Sequence, residues 1–399
     1  MPFIGNKPTA IPLSADDLED NIITSAKIVD GTIATADIAD ANVTAVKLAS
    51  GTVQNQSAFK NIIINGDMSI AQRGTSVSGI TGTDYYTVDR YKFNCTGQGT
   101  WTMSQDTDVP TGQGFAKSIK LDCTTADASP ASSDLLLLQQ RVEGQNLQYL
   151  KKGTANAESL TLSFWVKSNK TGTYVCEIDD ADNSRNINKS YTINSANTWE
   201  KKTITFAGDT TGAFTNDNGL SMVVYWWLGA GSTYTSGTLQ TSWGSTVNAN
   251  RAVGVVNLAD STSNEWYITG VQLEAGTTAS DFEFLPYDVN LQRCQRYYYV
   301  HATGNQIIGI MWWYQSLVNN TIMHFPVEMR TSPSASAPSG TNNYRVFHNG
   351  SVRFFSGFSG LQAGSPHATT IDSGLSGSGS DCGRVETVGS GKMLFSAEL

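Results

Sequence analysis

The residues able to do chemistry in this 399-residue chain are sparse and scattered. Four histidines, His301, His324, His348 and His367, have none of the spacings that put two ligands on one helix face or pair a base with a nucleophile. Five cysteines, Cys95, Cys123, Cys176, Cys294 and Cys382, lie far apart without a C-x-x-C, so they read as small buried hydrophobes of a chain made in a reducing compartment. In "DDADNSRN" (179–186), Asp180, Asp182 and Ser184 have the 1-3-5 spacing of a calcium loop. Arg185 stands where that loop needs Gly and Tyr191 where it needs Glu, so the stretch reads as a solvated loop. Glu177 with Asp179 and Asp180 is the nearest local carboxylate cluster and also reads as solvated. No G-x-S-x-G, phosphate loop or dinucleotide fingerprint occurs, and the expectation is a protein that is not an enzyme and requires no cofactor.

Aromatic residues offer a different chemistry. Trp226 and Trp227 are adjacent in "GLSMVVYWWLG", so in a strand one faces the core and the other the opposite side. Aromatic faces stack on the apolar faces of sugar rings, and Tyr225, Trp227, Tyr234 and Trp243 are candidates for such a platform. Burial in a sandwich or at a subunit contact is the open alternative.

The elements that must position these residues are mainly strands. Only 15% of residues are charged, aromatics reach 10%, and Gly, Ser, Thr and Asn are abundant. "SLTLSFWVKS" sets Leu160, Leu162, Phe164 and Val166 against Thr161, Ser163, Trp165 and Lys167, the alternation of a strand with one buried face. "GLSMVVYWWLG" and "NEWYITGVQLE" are similar, with polar breaks between, as in a β-sandwich with long loops. "LLLLQQRVEGQNLQYLKK" reads as the one short helix, interrupted by Gly144. "FEFLPYDVNLQRCQRYYYV" (282–300) reads as the end of one domain and the start of another, followed by strands and small-residue loops. Net charge is −9 without a Lys/Arg cluster, which disfavours nucleic acid; no run of 18 apolar residues and no basic n-region occur, so neither membrane insertion nor Sec export is expected.

Upstream, a different period rules. Leu18, Ile23, Ile28, Ile33, Ile38, Val43, Leu48 and Val53 recur every fifth residue. A step of five turns an α-helix by ~140°, at ~100° per residue, and so smears the apolar positions around it. In a strand an odd step exposes them on both faces. "TSAKIVDGTI", "ATADIADANV" and "TAVKLASGTV" align as three decads, each with a short turn and a β-branched segment that a single chain cannot cover.

"AKIVDGTIATADIADANVTAVKLA" resembles the stalk repeats of tail-fibre and related appendage proteins of tailed bacteriophages. "NIIINGDMSIAQRG", "VDRYKF", "LTLSFWVKS", "WEKKTITFAGD" and "EWYITGVQLEAG" together resemble jelly-roll modules of the carbohydrate-binding-module type. These resemblances imply a virion-docking segment (1–16), a homotrimeric repeat stalk (17–55), a jelly-roll β-sandwich (60–290) and a C-terminal β receptor-binding domain (291–399). They also imply a structural Ca2+ held by Asp67 and Glu274, although Asn65-Gly66-Asp67 equally reads as a tight hairpin turn. The function implied is a tail fibre that mediates host recognition and adsorption, made in the host cytoplasm and carried on the virion. Its expected partners are other virion tail proteins, through the N-terminus, and a host-surface glycan or protein. A purely structural head fibre or tail adaptor, and a glycan-binding module or depolymerase whose paired carboxylates meet only in space, are the alternatives.

The ladder needs neighbouring copies to cover it, and the resemblance implies that the full chain is a homotrimer through residues 17–55. Sedimentation of the full chain should give three copies, and a chain beginning at Gln54 should lose that assembly; a monomeric full-length protein would sink the idea.

Overall fold

The computed structural model describes Ile38 and residues 59–399, apart from 316–317, 349, 359, 363–364, 374 and 376–381. The docking segment and, but for Ile38, the ladder lie outside the described residues. Contacts divide the chain into Met1–Gln56 and one compact unit, Ser57–Leu399.

The unit begins with a β-sandwich. A six-stranded antiparallel sheet runs in the order Ser76–Ile80, Thr100–Asp106, Ser118–Thr125, Glu265–Ala275, Leu160–Ser168, Glu200–Phe206. The facing sheet has seven strands, in the order Gly244–Ser245, Arg185–Ile193, Gly172–Asp180, Leu220–Ala230, Leu135–Glu143, Lys92–Thr96, Thr83–Asp84. Period-two alternation builds the core: Leu160, Leu162, Phe164 and Val166 meet Met222, Val224, Trp226 and Leu228 from the other sheet. Truncating one such buried aromatic costs about 3–5 kcal/mol, so this core fixes the sandwich.

The expected helix at "LLLLQQRVE" is a strand instead. Leu135–Glu143 pairs with Leu220–Ala230 on one side and Lys92–Thr96 on the other, and from Leu136 to Gln140 every residue is buried. A strand covered on both faces needs no polar alternation, and this tertiary demand overrides the helix propensity of Leu and Gln. Two 3-10 turns, Gly144–Asn146 and Gln148–Leu150, replace the rest of it.

The regular helix is Tyr287–Gln295, opened by Pro286 with its fixed φ and favoured by Asp288 in the first turn and Arg293 in the last. None of the described helices is long and apolar enough to cross a membrane. Beyond it a three-stranded sheet orders Tyr298–Thr303, Lys392–Ser396 and Ser334–Ser336, beside a second seven-stranded sheet. Met311, Trp313, Tyr344, Val346 and Phe395 belong to a separate core here. Cys95, Cys123, Cys176 and Cys294 are buried thiols, whereas Cys382 is exposed.

The boundary expected at 290/291 falls inside the helix, and the halves are joined there. Ile64 and Ile70 share a small core with Cys294 and Tyr297. Arg90, whose side chain is 1% exposed, pairs with Glu398 and lies over the Tyr297 ring at 3.4 Å. Arg73 Nη2 reaches the same carboxylate at 3.1 Å. Arg296 grips Glu143 through Nε at 2.9 Å and Nη2 at 2.7 Å, and the Tyr297 hydroxyl donates to that carboxylate as well. Breaking a buried pair from one side strands the other charge. Glu398→Gln should therefore lower stability by about 3 kcal/mol, seen as an earlier denaturant midpoint at unchanged slope. An unmoved midpoint would deny this seam its role.

Candidate functional site

The four aromatic candidates do not form one platform. Trp226 enters the sandwich core and Trp227 the opposite face, where residues 231–257 fold over it and leave it 1% exposed. Trp227 packs with Leu137, Val175 and Ala252, bordered by Tyr225 and Tyr234, whose rings stand 6.3 and 5.3 Å from its own. Its Nε1 donates to Glu177 Oε2 at 2.7 Å. Arg251 Nε donates to both oxygens of that carboxylate at 2.9 and 3.1 Å, and Asn186 Nδ2 to Oε1 at 2.9 Å. Tyr225, Trp227 and Tyr234 thus clamp the covering loop onto the sheet. Trp243 sits elsewhere, donating Nε1 to the Ala207 carbonyl at 2.6 Å, with the Lys152 ammonium 5.3 Å from its ring.

The carboxylates expected to be solvated are also corrected. Glu177 and Asp180 are fully buried. Asp180 pairs with Lys152, which also reaches Asp209 at 3.1 Å, while Asp180 Oδ1 accepts the backbone N–H groups of Asp182 and Asn183 at 3.1 Å. Their counter-ions, Lys152 and Arg251, lie 28 and 74 residues away, and no local pattern points to them.

Asp67 and Glu274 do not fit a shared cation. Gly66 O accepts from Val271 N, and Leu273 O from Ile62 N, both at 2.9 Å, so the two segments run antiparallel and the carboxylates lie beyond opposite ends of that pairing. Asp67 Oδ1 accepts from Asn290 Nδ2 at 3.0 Å and Ser69 Oγ at 3.1 Å. Glu274 accepts from Ser280 N at 2.9 Å, Ser280 Oγ at 2.6 Å and Gln272 Nε2 at 2.8 Å. Asn65, at φ +61°, carries the turn before Asp67. Among the described residues no group of three His, Cys, Asp or Glu converges.

A groove of about 350 Å3 does open at the seam. One wall carries Arg73, Asp84, Tyr85 and Tyr86, the other Tyr298, Ser334, Ser336, Leu394 and Ser396. Thr83–Asp84 and Ser334–Ser336 are edge strands of their sheets, so loop and edge groups face the opening. Tyr85 and Tyr298 are each 8% exposed, Tyr86 is half-buried, and Asp84 is exposed. The Arg73 guanidinium lies 3.6 Å from the Tyr298 ring centre and 5.3 Å from that of Tyr85. Burial, helped by Glu398, pushes the Tyr85 hydroxyl up to about 12, and burial raises Tyr86 and Tyr298 too. All three therefore stay neutral donors at physiological pH. Aromatic walls, one exposed carboxylate and serine hydroxyls in a site this size suit a small polyhydroxylated ligand. Sequence reasoning missed it, although "DYYT" and "RYYYV" carried the adjacent-aromatic signal already used for Trp226 and Trp227.

No protein-family model matches the sequence, and no curated protein matches it. Among solved structures, the enzymatically active domain of bacteriophage CBA120 tailspike protein 4 is similar at 15% identity and TM-score 0.29, over 54% of this chain and 21% of that one. This chain thus spans about a fifth of that domain's length. TmCBM61 in complex with β-1,4-galactotriose gives 8% identity and TM-score 0.27 over 54% of this chain and 98% of its own. The CBM22-1 xylan-binding domain of Xyn10C from Paenibacillus barcinonensis gives 10% and 0.26 over 56% and 100%. The similar structures are thus carbohydrate-binding modules and a phage tailspike domain.

The covered sheet face yields a pH prediction. Burial, then the neighbouring Glu177 carboxylate, push Asp179 up to about 6. The folded state holds that proton more tightly than the unfolded chain, so this contribution is whole below about pH 4 and lost as pH rises through about 6. Asp179→Asn should match the wild type near pH 4 and exceed it by about 2 kcal/mol at pH 7.5. Parallel thermal melts at the two pH values would show a constant gap if the idea is wrong.

Proposed function

We propose that this chain is a receptor-binding fibre of a phage particle. Residues 1–16 dock on other virion proteins, 17–55 wind into a homotrimeric stalk, and the unit beyond presents a glycan-binding groove to the host cell. The five-residue ladder supports the stalk, since its apolar positions need neighbouring chains to cover them. The observation that carries the ligand is the seam groove, where Tyr86 and Tyr298 flank an opening edged by Asp84 and serine hydroxyls. Three chains would present three such grooves, so contacts too weak to hold singly would add up to firm attachment.

Glycoside cleavage needs two carboxylates at opposed positions. The groove lining supplies Asp84 alone, which favours binding over cleavage. The groove is shared between the halves: Arg73, Asp84 and Tyr86 come from the sandwich and Tyr298 from the sequence beyond the helix.

Binding of the full chain to a panel of bacterial surface polysaccharides tests the reading. Tyr86→Ala and Asp84→Ala should each weaken binding by about five- to thirtyfold, the equivalent of about 1–2 kcal/mol, and the change at the exposed Asp84 should do so without lowering the melting temperature. A full chain that assembles on particles yet binds no polysaccharide or host cell would favour the purely structural alternative.

A further inference from the structure

A second opening of about 350 Å3 lies where the helix Tyr287–Gln295 meets the strand Leu135–Glu143. Three arginines line it, Arg141, Arg293 and Arg296. Their charges are not equally met. Arg296 is matched by Glu143 in the two-bond grip already described. Arg141 donates Nη1 to the Leu399 carbonyl at 2.8 Å, while its Nε is buried with no hydrogen-bond partner. Arg293 has only a long contact, Nη2 to the Asn61 carbonyl at 3.4 Å, and its Nη1 is buried and unpartnered. Among the described residues no carboxylate forms an ion pair with Arg293.

Glu283 lies near enough to favour the charged form of Arg293 without forming an ion pair with it. Holding a guanidinium largely out of water without a paired counter-ion is costly, and proteins tolerate it where an anion completes the site. Burial accordingly weakens the hold of Arg293 on its proton. The planar fork of arginine matches a carboxylate through two parallel N–H donors. The rim supplies the rest of a sugar site: Tyr149 and Phe59 are 50% and 59% exposed, and the exposed Gln145 and Asn146 bring amide groups.

We propose that this cleft binds an acidic sugar residue, with the guanidinium groups of Arg293 and Arg141 as donors to its carboxylate and Tyr149 against its ring. The anion site stands on the unmet arginines alone; naming a sugar as the carrier rests on the glycan-binding reading. Arg293 is then a residue whose poor pairing in the free protein is resolved by its ligand.

Calorimetric titration of the full chain with trigalacturonate, with its carboxyl-reduced counterpart and with inorganic phosphate tests this. Trigalacturonate should bind, about tenfold or more tighter than the reduced sugar and than phosphate, and more weakly as salt rises. Arg293→Gln should cut trigalacturonate affinity about tenfold or more, and Arg293→Lys should cut it less. Without ligand, Arg293→Gln should melt no lower than the wild type, because it removes an unmet charge, whereas loss of a merely structural arginine lowers the melt. Unchanged affinity in Arg293→Gln, equal binding of both sugars, phosphate matching trigalacturonate, or no binding of trigalacturonate would each overturn the proposal. Trigalacturonate binding lost in Asp84→Ala but kept in Arg293→Gln would overturn it while leaving the groove reading intact. Binding lost in Arg293→Gln and kept in Asp84→Ala would support it whatever the fate of the groove.

Discussion

A cation with almost no access to water has to be met from somewhere, and at Arg90 it is met from the far end of the unit. Its backbone stands at φ +75°, a region that costs a side-chain-bearing residue about 1 kcal/mol, and its guanidinium is enclosed by Glu398, the Tyr297 ring and the Arg141 carbonyl. Nothing local could supply such an enclosure. Because Glu398 lies just beyond the strand Lys392–Ser396, with only Ala397 between, satisfying Arg90 sets where the three-stranded sheet lies against the sandwich. The tyrosine groove lies along that contact, with walls drawn from both sides of it. The arginine cleft is bounded by the helix whose Cys294 shares the same small core.

The seam and the sandwich are held by different physics. The sandwich core contains Trp101, Trp226, Trp266 and Phe164, so apolar burial dominates there. The seam core has four buried side chains, Ile64, Ile70, Cys294 and Tyr297, and owes its geometry to Glu398 and Glu143 with their arginines. Apolar contact is non-directional, whereas paired guanidinium and carboxylate groups fix distance and angle together. A groove whose walls come from separate sheets depends on that second kind of contact, since a displacement of about 1 Å between walls changes what it can hold.

What the sequence disclosed follows from range. Alternation from Leu160 to Val166 and the split of Trp226 from Trp227 are properties of one strand, and they are visible in it. The strand Leu135–Glu143 was misread because both its faces are buried by residues distant in sequence, Leu136 and Leu138 in the sandwich core and Leu137 against Val175, Trp227 and Ala252. The helix Tyr287–Gln295 was invisible for a complementary reason: it buries only Asn290 and Cys294, and one polar and one small residue make no apolar stripe. Glu177 looked solvated because a carboxylate reads as polar wherever its counter-ion is, and Arg251 is 74 residues downstream. The groove failed to register at all, since Tyr85 and Tyr298 are far apart in the sequence and lie at different sheets.

The same separation orders events during synthesis. Arg90 precedes Glu398 by 308 residues, so at ribosomal rates of about 5–20 residues per second the cation waits roughly 15–60 s for its counter-ion. The sandwich strands, complete by Ala275, can pair well before that moment. Arg90 must then face water on a sandwich whose seam side is still open, and the tyrosine groove gains its second wall only when Leu394 and Ser396 arrive beside Ser334 and Ser336.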